Sequence, residues 1–138
     1  MIKQATSQHV LAICSLIQSV SGFWDDSWRL DVIERGIEAA RGLAFVYEEN
    51  SSVIGFVCAH DLGFRAYLSE LVVAGGARSQ GIGTQLVRRV EAELVARGCA
   101  VLIADVWRDA ERFYRALGWE PPPVVLLRKK LPQHAEEL

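Results

Sequence analysis

The sequence predicts an α+β domain in which amphipathic helices pack on a mixed sheet, and three observations carry that expectation. Apolar residues recur at helical spacing in three separate stretches, around Val10 to Val20, Leu30 to Ala40 and Ile82 to Leu94. Between them lie β-branched and aromatic runs bounded by turn residues, as strands require. At residues 70–84 an apolar strand, a Gly-rich turn and a helix follow one another without interruption.

Taken in order, Ile2 to Ala5 suit a short strand, and Thr6 or Ser7 can cap a helix carrying Val10, Ile13, Ile17 and Val20 on one face. Asp26 or Ser27 can cap a second helix, with Leu30, Ile33, Ile37 and Ala40 as its apolar stripe and Gly42 as its stop. Leu43 to Glu48 and Val53 to His60 read as strands joined through Asn50-Ser51-Ser52, and residues 66–74 as the next strand. Ile82, Leu86, Val90 and Leu94 then mark the clearest helix, ended by Gly98. A buried strand is expected over 100–106, a short helix over 109–117, and a final strand over Val124 to Lys130 after Pro121-Pro122-Pro123. The tail from residue 132 is expected to fray. No linker or repeat divides the 138 residues, so 1–138 reads as a single domain.

Bulk chemistry narrows the partners. With 15 basic and 17 acidic residues the formal charge is −2, too balanced to argue for nucleic acid or a membrane surface as an electrostatic partner, and neither is expected. Cys14, Cys58 and Cys99 are odd in number and far apart, so buried reduced thiols are expected rather than disulfides or metal ligands. No charged-then-apolar leader opens the sequence and no apolar run reaches the ~20 residues of a membrane span, so a cytoplasmic location is expected.

Residues 70–84 carry the chemistry. A helix opened by a glycine turn aims unpaired N–H groups and the positive end of its dipole at one point, which suits a phosphate or pyrophosphate. Gly76-Ala-Arg-Ser-Gln-Gly81 has Walker A spacing, but Ile82 and Gly83 stand where Lys and Ser/Thr are needed. A dinucleotide fingerprint needs a third glycine where Leu86 stands.

What fits is Arg78-x-x-Gly81-x-Gly83, flanked upstream by Tyr67-Leu68-Ser69-Glu70-Leu71-Val72-Val73 and downstream by Ala110-x-x-Phe113-Tyr114-x-x-x-Gly118-Trp119. These three blocks, in this order over residues 67–119, resemble the GNAT superfamily of acyl-CoA-dependent N-acyltransferases. The resemblance implies α/β/α layers: a mixed, mostly antiparallel sheet flanked by about four helices and splayed between its fourth and fifth strands. It also implies acetyl-CoA as co-substrate, with no metal. Main-chain groups of Leu71, Val72 and Val73 would pair with the pantetheine arm. The N–H groups of Ser79, Gln80, Gly81, Ile82, Gly83 and Thr84 would receive the pyrophosphate, with Arg78 adding charge.

By the same resemblance Tyr114 would protonate the leaving thiolate; a phenol with a pKa of about 10 is protonated at neutral pH and available to donate. Glu70, on the strand beside the reactive end, is the candidate base for the acceptor ammonium, the plain alternative being a carboxylate turned to solvent or paired with an arginine. Trp107 departs from the family pattern, standing three before Ala110 where many members have asparagine; an indole donates one hydrogen bond and accepts none, so that contact would be lost, replaced by stacking, or taken by a neighbour such as Asp109. On the acceptor side, Trp24, Asp25 and Trp28 could hold a cation by charge and cation–π attraction, and His60 could serve as a second base. Capping, core packing and a satisfied strand end are the plain readings of those four.

The expected activity is acetyl transfer from acetyl-CoA to a primary amine of a small molecule or peptide. Direct attack is expected over a covalent enzyme intermediate, because no motif histidine accompanies a cysteine. The alternative is a CoA-binding regulatory or toxin-neutralising module with little or no turnover. A homodimer could form through Val124 to Leu127.

Overall fold

Local chemistry sets where each element begins. In the computed structural model, which describes residues 1–132, β1 covers Ile2–Gln4. A capping box follows: the Gln8 N–H donates to the Thr6 hydroxyl and the Thr6 N–H donates to His9 Nδ1 at 3.0 Å. One 3-10 turn, Ser7–His9, leads into α1, Val10–Ser19, which buries Ile13, Leu16 and Ile17.

The second helix, α2, is shorter than its apolar stripe suggests, covering only Val32–Ala40. The residues expected to cap it are held in a turn instead: Trp28 N–H donates to Asp25 O, and the Asp25 carboxylate accepts from both the N–H and hydroxyl of Ser27. Leu30 is consequently 100% exposed and contributes nothing to the core.

β2 (Ala44–Glu49) and β3 (Ser52–Asp61) form a hairpin in which Asn50 and Ser51 take φ of 52° and 64°, the left-handed pair that matches strand twist. β4 covers Ala66–Val73, α3 covers Ile82–Ala96, and β5 is Leu102–Ile103. The sheet order is β1-β2-β3-β4-β5, antiparallel except for the parallel β4–β5 pair. Alternation along β3 separates two faces. Gly55 meets Ile82 and Leu86 of α3, whereas Phe56 and Cys58 lie with Ile17 of α1 and Val32, Ile33 and Gly36 of α2. The three expected layers are present, with α3 on one face and α1 and α2 on the other.

Two expected strands differ. The strand at 100–106 reduces to two residues, and Val101 and Ile103 are exposed rather than buried. A parallel edge strand forms only while its neighbour runs alongside, and the register holds only for Ala66↔Leu102 and Tyr67↔Ile103. The final strand is absent among the described residues: Val124, Val125, Leu126 and Leu127 are exposed and outside the sheet. A β-propensity run becomes a strand only with a ladder to join, and three prolines just before it lack N–H donors.

Chain contacts divide the molecule into Met1–Ala104 and a second unit from Asp105 onward. The second contains a 3-10 turn at Arg108–Ala110 and α4, Glu111–Ala116, followed by Gly118 at φ 96°. Beyond Pro132, the expected fraying lies outside the described residues. Among the described residues no helix is long and apolar enough to cross a membrane.

Candidate functional site

The Gly-rich segment folds into a sharp entry to α3. Gly75–Ala77 make a 3-10 turn, Arg78 is extended, and Ser79 and Gly81 take left-handed φ of 72° and 77° before the helix begins at Ile82. The α-helical ladder opens with Gln85 N–H to Gly81 O at 3.0 Å, so the amides of Ile82, Gly83 and Thr84 precede its first bond. Arg78, Ser79, Gln80 and Gly81 are exposed, while Ile82 is buried against the sheet. The serine at 79 occupies a conformation that favours glycine, a strain of about 1–3 kcal/mol for most residues.

β4 feeds directly into this turn. On one side it pairs with β3 through Val73, but on the other it pairs with β5 only at Ala66 and Tyr67. The sheet is therefore splayed alongside Leu71, Val72 and Val73, whose outer edge lies beyond the β5 ladder. This is the opening into which an extended arm could add as a strand.

A β-bulge sits in the same strand. Cys58 pairs with Glu70 and Ala59 with Leu68, which leaves Ser69 as an extra residue on β4. The bulge lets neighbouring residues Ser69 and Glu70 both line one cleft of about 130 Å³, together with Ile17, Trp28, Val32, Ile33, Gly36, Phe56 and Cys58. The expected acceptor-side residue Trp28 and the candidate base Glu70 are thus brought together. Trp24 packs edge-on against Trp28, ring centroids 5.3 Å apart, without lining the cleft. Asp25 is exposed and engaged with Ser27.

His60 stands behind the cleft wall. Its Nε2 is 3.0 Å from Ser69 Oγ and 3.7 Å from Cys58 Sγ, and the Ser69 hydroxyl donates to Cys58 O at 3.2 Å. The expectation that no histidine accompanies a cysteine is therefore corrected for Cys58: residues i and i+2 of a strand share a face. The thiol is nonetheless unsuited to nucleophilic attack, because burial pushes its pKa up to about 12, with the Glu70 charge acting in the same direction. Cys14 and Cys99 are half-buried rather than buried.

In the second unit, Tyr114 is 7% exposed and held edge-on between the rings of Phe113 and Trp119, at 5.1 and 5.2 Å. Trp107 is exposed and precedes the 3-10 turn, its carbonyl accepting from the Ala110 N–H, with Asp109 exposed beside it.

Comparison with known proteins identifies the family and the fold. Residues 10–119 match the model of the Acetyltransferase (GNAT) family. A protein of Yersinia pestis (strain Pestoides F) named acetyltransferase is 32% identical over 111 residues, covering 78% of this chain and 77% of its own. The chain belongs to the GNAT acetyltransferase family. The fold is shared with the aminoglycoside N-acetyltransferase AAC(6')-Iy in complex with CoA (TM-score 0.75, 23% identity, 94% of this chain and 93% of that one). It is shared also with the ribosomal-protein-S18-alanine N-acetyltransferase of Escherichia coli (TM-score 0.75, 23% identity, 86% and 76%).

Of the nine residues that line the cleft of this GNAT chain, sequence reasoning named Trp28 and Glu70 as site residues and missed the other seven: Ile17, Val32, Ile33, Gly36, Phe56, Cys58 and Ser69. Ser69 gave no signal, since a bulge depends on the partner strand's register. Gly36 did: it interrupts the stripe of α2 three residues after Ile33, on the face that meets the sheet.

Proposed function

We propose that residues 1–138 act as one cytoplasmic domain transferring an acetyl group from acetyl-CoA to a primary amine by direct attack. The observation that carries the reading is the continuity of β4: a carboxylate at Glu70, an unladdered edge over Leu71 to Val73, and the left-handed turn that opens α3 follow within fifteen residues. The edge suits an extended amide-bearing arm and the turn suits a pyrophosphate, so the donors present fit coenzyme A end to end. Arg78 adds positive charge at the phosphate end.

Bound there, the co-substrate supplies the acetyl thioester. An alkyl ammonium with a pKa of about 10.4 is neutral in fewer than about one molecule in a thousand at pH 7, so a base that takes its proton helps considerably. Glu70 takes that proton, directly or through a water. The freed nitrogen lone pair would form the new C–N bond as the C–S bond breaks, the departing sulfur taking the phenolic proton of Tyr114 while the nitrogen gives up its second proton, through solvent, to restore the phenol. No cysteine carries the acetyl group, because the only one beside a histidine, among the described residues, is the deeply buried Cys58.

Release of free thiol from acetyl-CoA across an amine panel tests the reading. Turnover with at least one amine is expected, and Tyr114→Phe should lower it at least tenfold with CoA affinity nearly unchanged. Tight CoA binding without thiol release for any amine would instead favour the non-catalytic module.

A further inference from the structure

Gly36 occupies the middle of α2, where glycine costs helix stability relative to alanine and where no positive φ requires it. Nor does packing require it: a Cβ built there meets no atom within 4 Å outside its own helix. Gly36 lines the cleft, its carbonyl accepting from the Cys58 thiol at 3.6 Å, and nothing of this chain stands where its side chain would be, which leaves room for an occupant from outside the chain.

The cleft describes that occupant. About 130 Å³ is close to the ~150 Å³ of an apolar cavity that holds one benzene ring. Ile17, Val32, Ile33 and Phe56 make its walls apolar, Trp28 adds an aromatic surface, and the polar groups Ser69 and Glu70 are adjacent on β4. An apolar body therefore fits the α1–α2 side and a cationic head fits the carboxylate, with the indole also suited to a cation. Resting on the acyl-transfer reading above, we propose that the acceptor is a primary amine carried on one compact apolar group, a single ring or a branched alkyl, and that Gly36 sets its size. Polyhydroxylated or polycationic amines have too few polar partners in this lining to replace their hydration.

Calorimetric titration of the CoA-loaded and CoA-free protein with benzylamine, ethanolamine and spermidine tests the proposal. Benzylamine should bind at least tenfold more tightly than ethanolamine or spermidine. Gly36→Ala should weaken benzylamine at least fivefold, leave ethanolamine within twofold, and raise the Tm by about 2–4 °C, as expected for removing a helix-interior glycine. A Val-Gly-Gly peptide, whose terminal amine bears the same kind of group, separates two sources: binding of benzylamine alone indicates a free amine, and tighter binding of the peptide indicates a chain terminus, either outcome supporting the compact apolar head. Equal affinities across the amines would overturn the proposal, as would unchanged benzylamine affinity in Gly36→Ala or a fall in its Tm. Thiol release is read separately. Benzylamine bound but never acetylated would count against acyl transfer alone. Acetylation of ethanolamine or spermidine, with benzylamine neither bound nor acetylated, would overturn this proposal and leave acyl transfer standing.

Discussion

Gly55 and Gly36 face opposite sides of the same sheet and are glycine for opposite reasons. A Cβ on Gly55 would come within 2.9 Å of Ile82 Cγ2, 3.0 Å of Leu86 Cδ1 and 3.3 Å of Tyr47 Cβ, so the first turns of α3 are seated where a side chain would be. A Cβ on Gly36 would meet nothing. One face of β3 is filled to fix the helix whose start forms the anion-binding turn. The other is left open beside Glu70. The contrast separates two demands on one sheet: rigid placement of the phosphate end, and room for an acceptor.

The largest effects should come from disturbing the filled face. Leu86 is fully buried, and Leu86→Ala should cost about 2–5 kcal/mol in chemical denaturation. Gly55→Ala overpacks the same spot and should cost about 1–3 kcal/mol. Because the new methyl of the second variant points into the cavity left by the first, the double variant should be less destabilised than the two costs summed, by at least about 0.5 kcal/mol. Strict additivity would mean that α3 is not seated on Gly55, and the contrast between the two faces would collapse.

How much of this was legible before any coordinates depended on whether a feature is local. The stripe Ile82, Leu86, Val90, Leu94 needs only the helical period, and all four side chains are buried. The Arg78-x-x-Gly81-x-Gly83 turn was legible because positive φ at Gly81 is a backbone demand that only a few residues meet. Leu30 misled because its spacing was right, while two hydrogen bonds to the Asp25 carboxylate had already committed the chain to a turn. Val124 to Leu127 misled for a different reason: pairing is a property of two segments, and composition reports only one. The bulge at Ser69, which brings Glu70 and Ser69 to one cleft, depends on the register with Cys58 and Ala59 and has no signature in β4 alone.

A smaller effect is expected at the turn between the two regions. Ser79 holds a left-handed φ of 72° without the freedom of glycine. Ser79→Gly relieves that strain but loosens the unfolded chain, and the balance should be a gain of about 1 kcal/mol or less. If the serine hydroxyl itself contacts the phosphates, the same change should weaken CoA several-fold despite the added stability. Thermal unfolding with and without CoA distinguishes these outcomes, since only the second narrows the ligand-induced rise in Tm.

The smallest effect at neutral pH concerns the open face, and it tests whether openness there means access for water. Cys58 lines the cleft yet is only 2% exposed, and its thiol is pushed up to about 12 from an ordinary 9.0. The folded protein thus holds this proton more tightly than the unfolded chain does. Its contribution to stability is complete below about pH 9 and declines as pH rises from there towards 12. At pH 8 iodoacetamide should consume the half-buried Cys14 and Cys99 well before Cys58, which should react only as fast as the protein unfolds. Rapid alkylation of Cys58 in the folded state, lost on His60→Ala, would show that the histidine 3.7 Å away activates it after all. The cleft would then be a wet nucleophilic site rather than an apolar seat for an amine, and the distinction between a packed face and a binding face would have to be redrawn around Cys58.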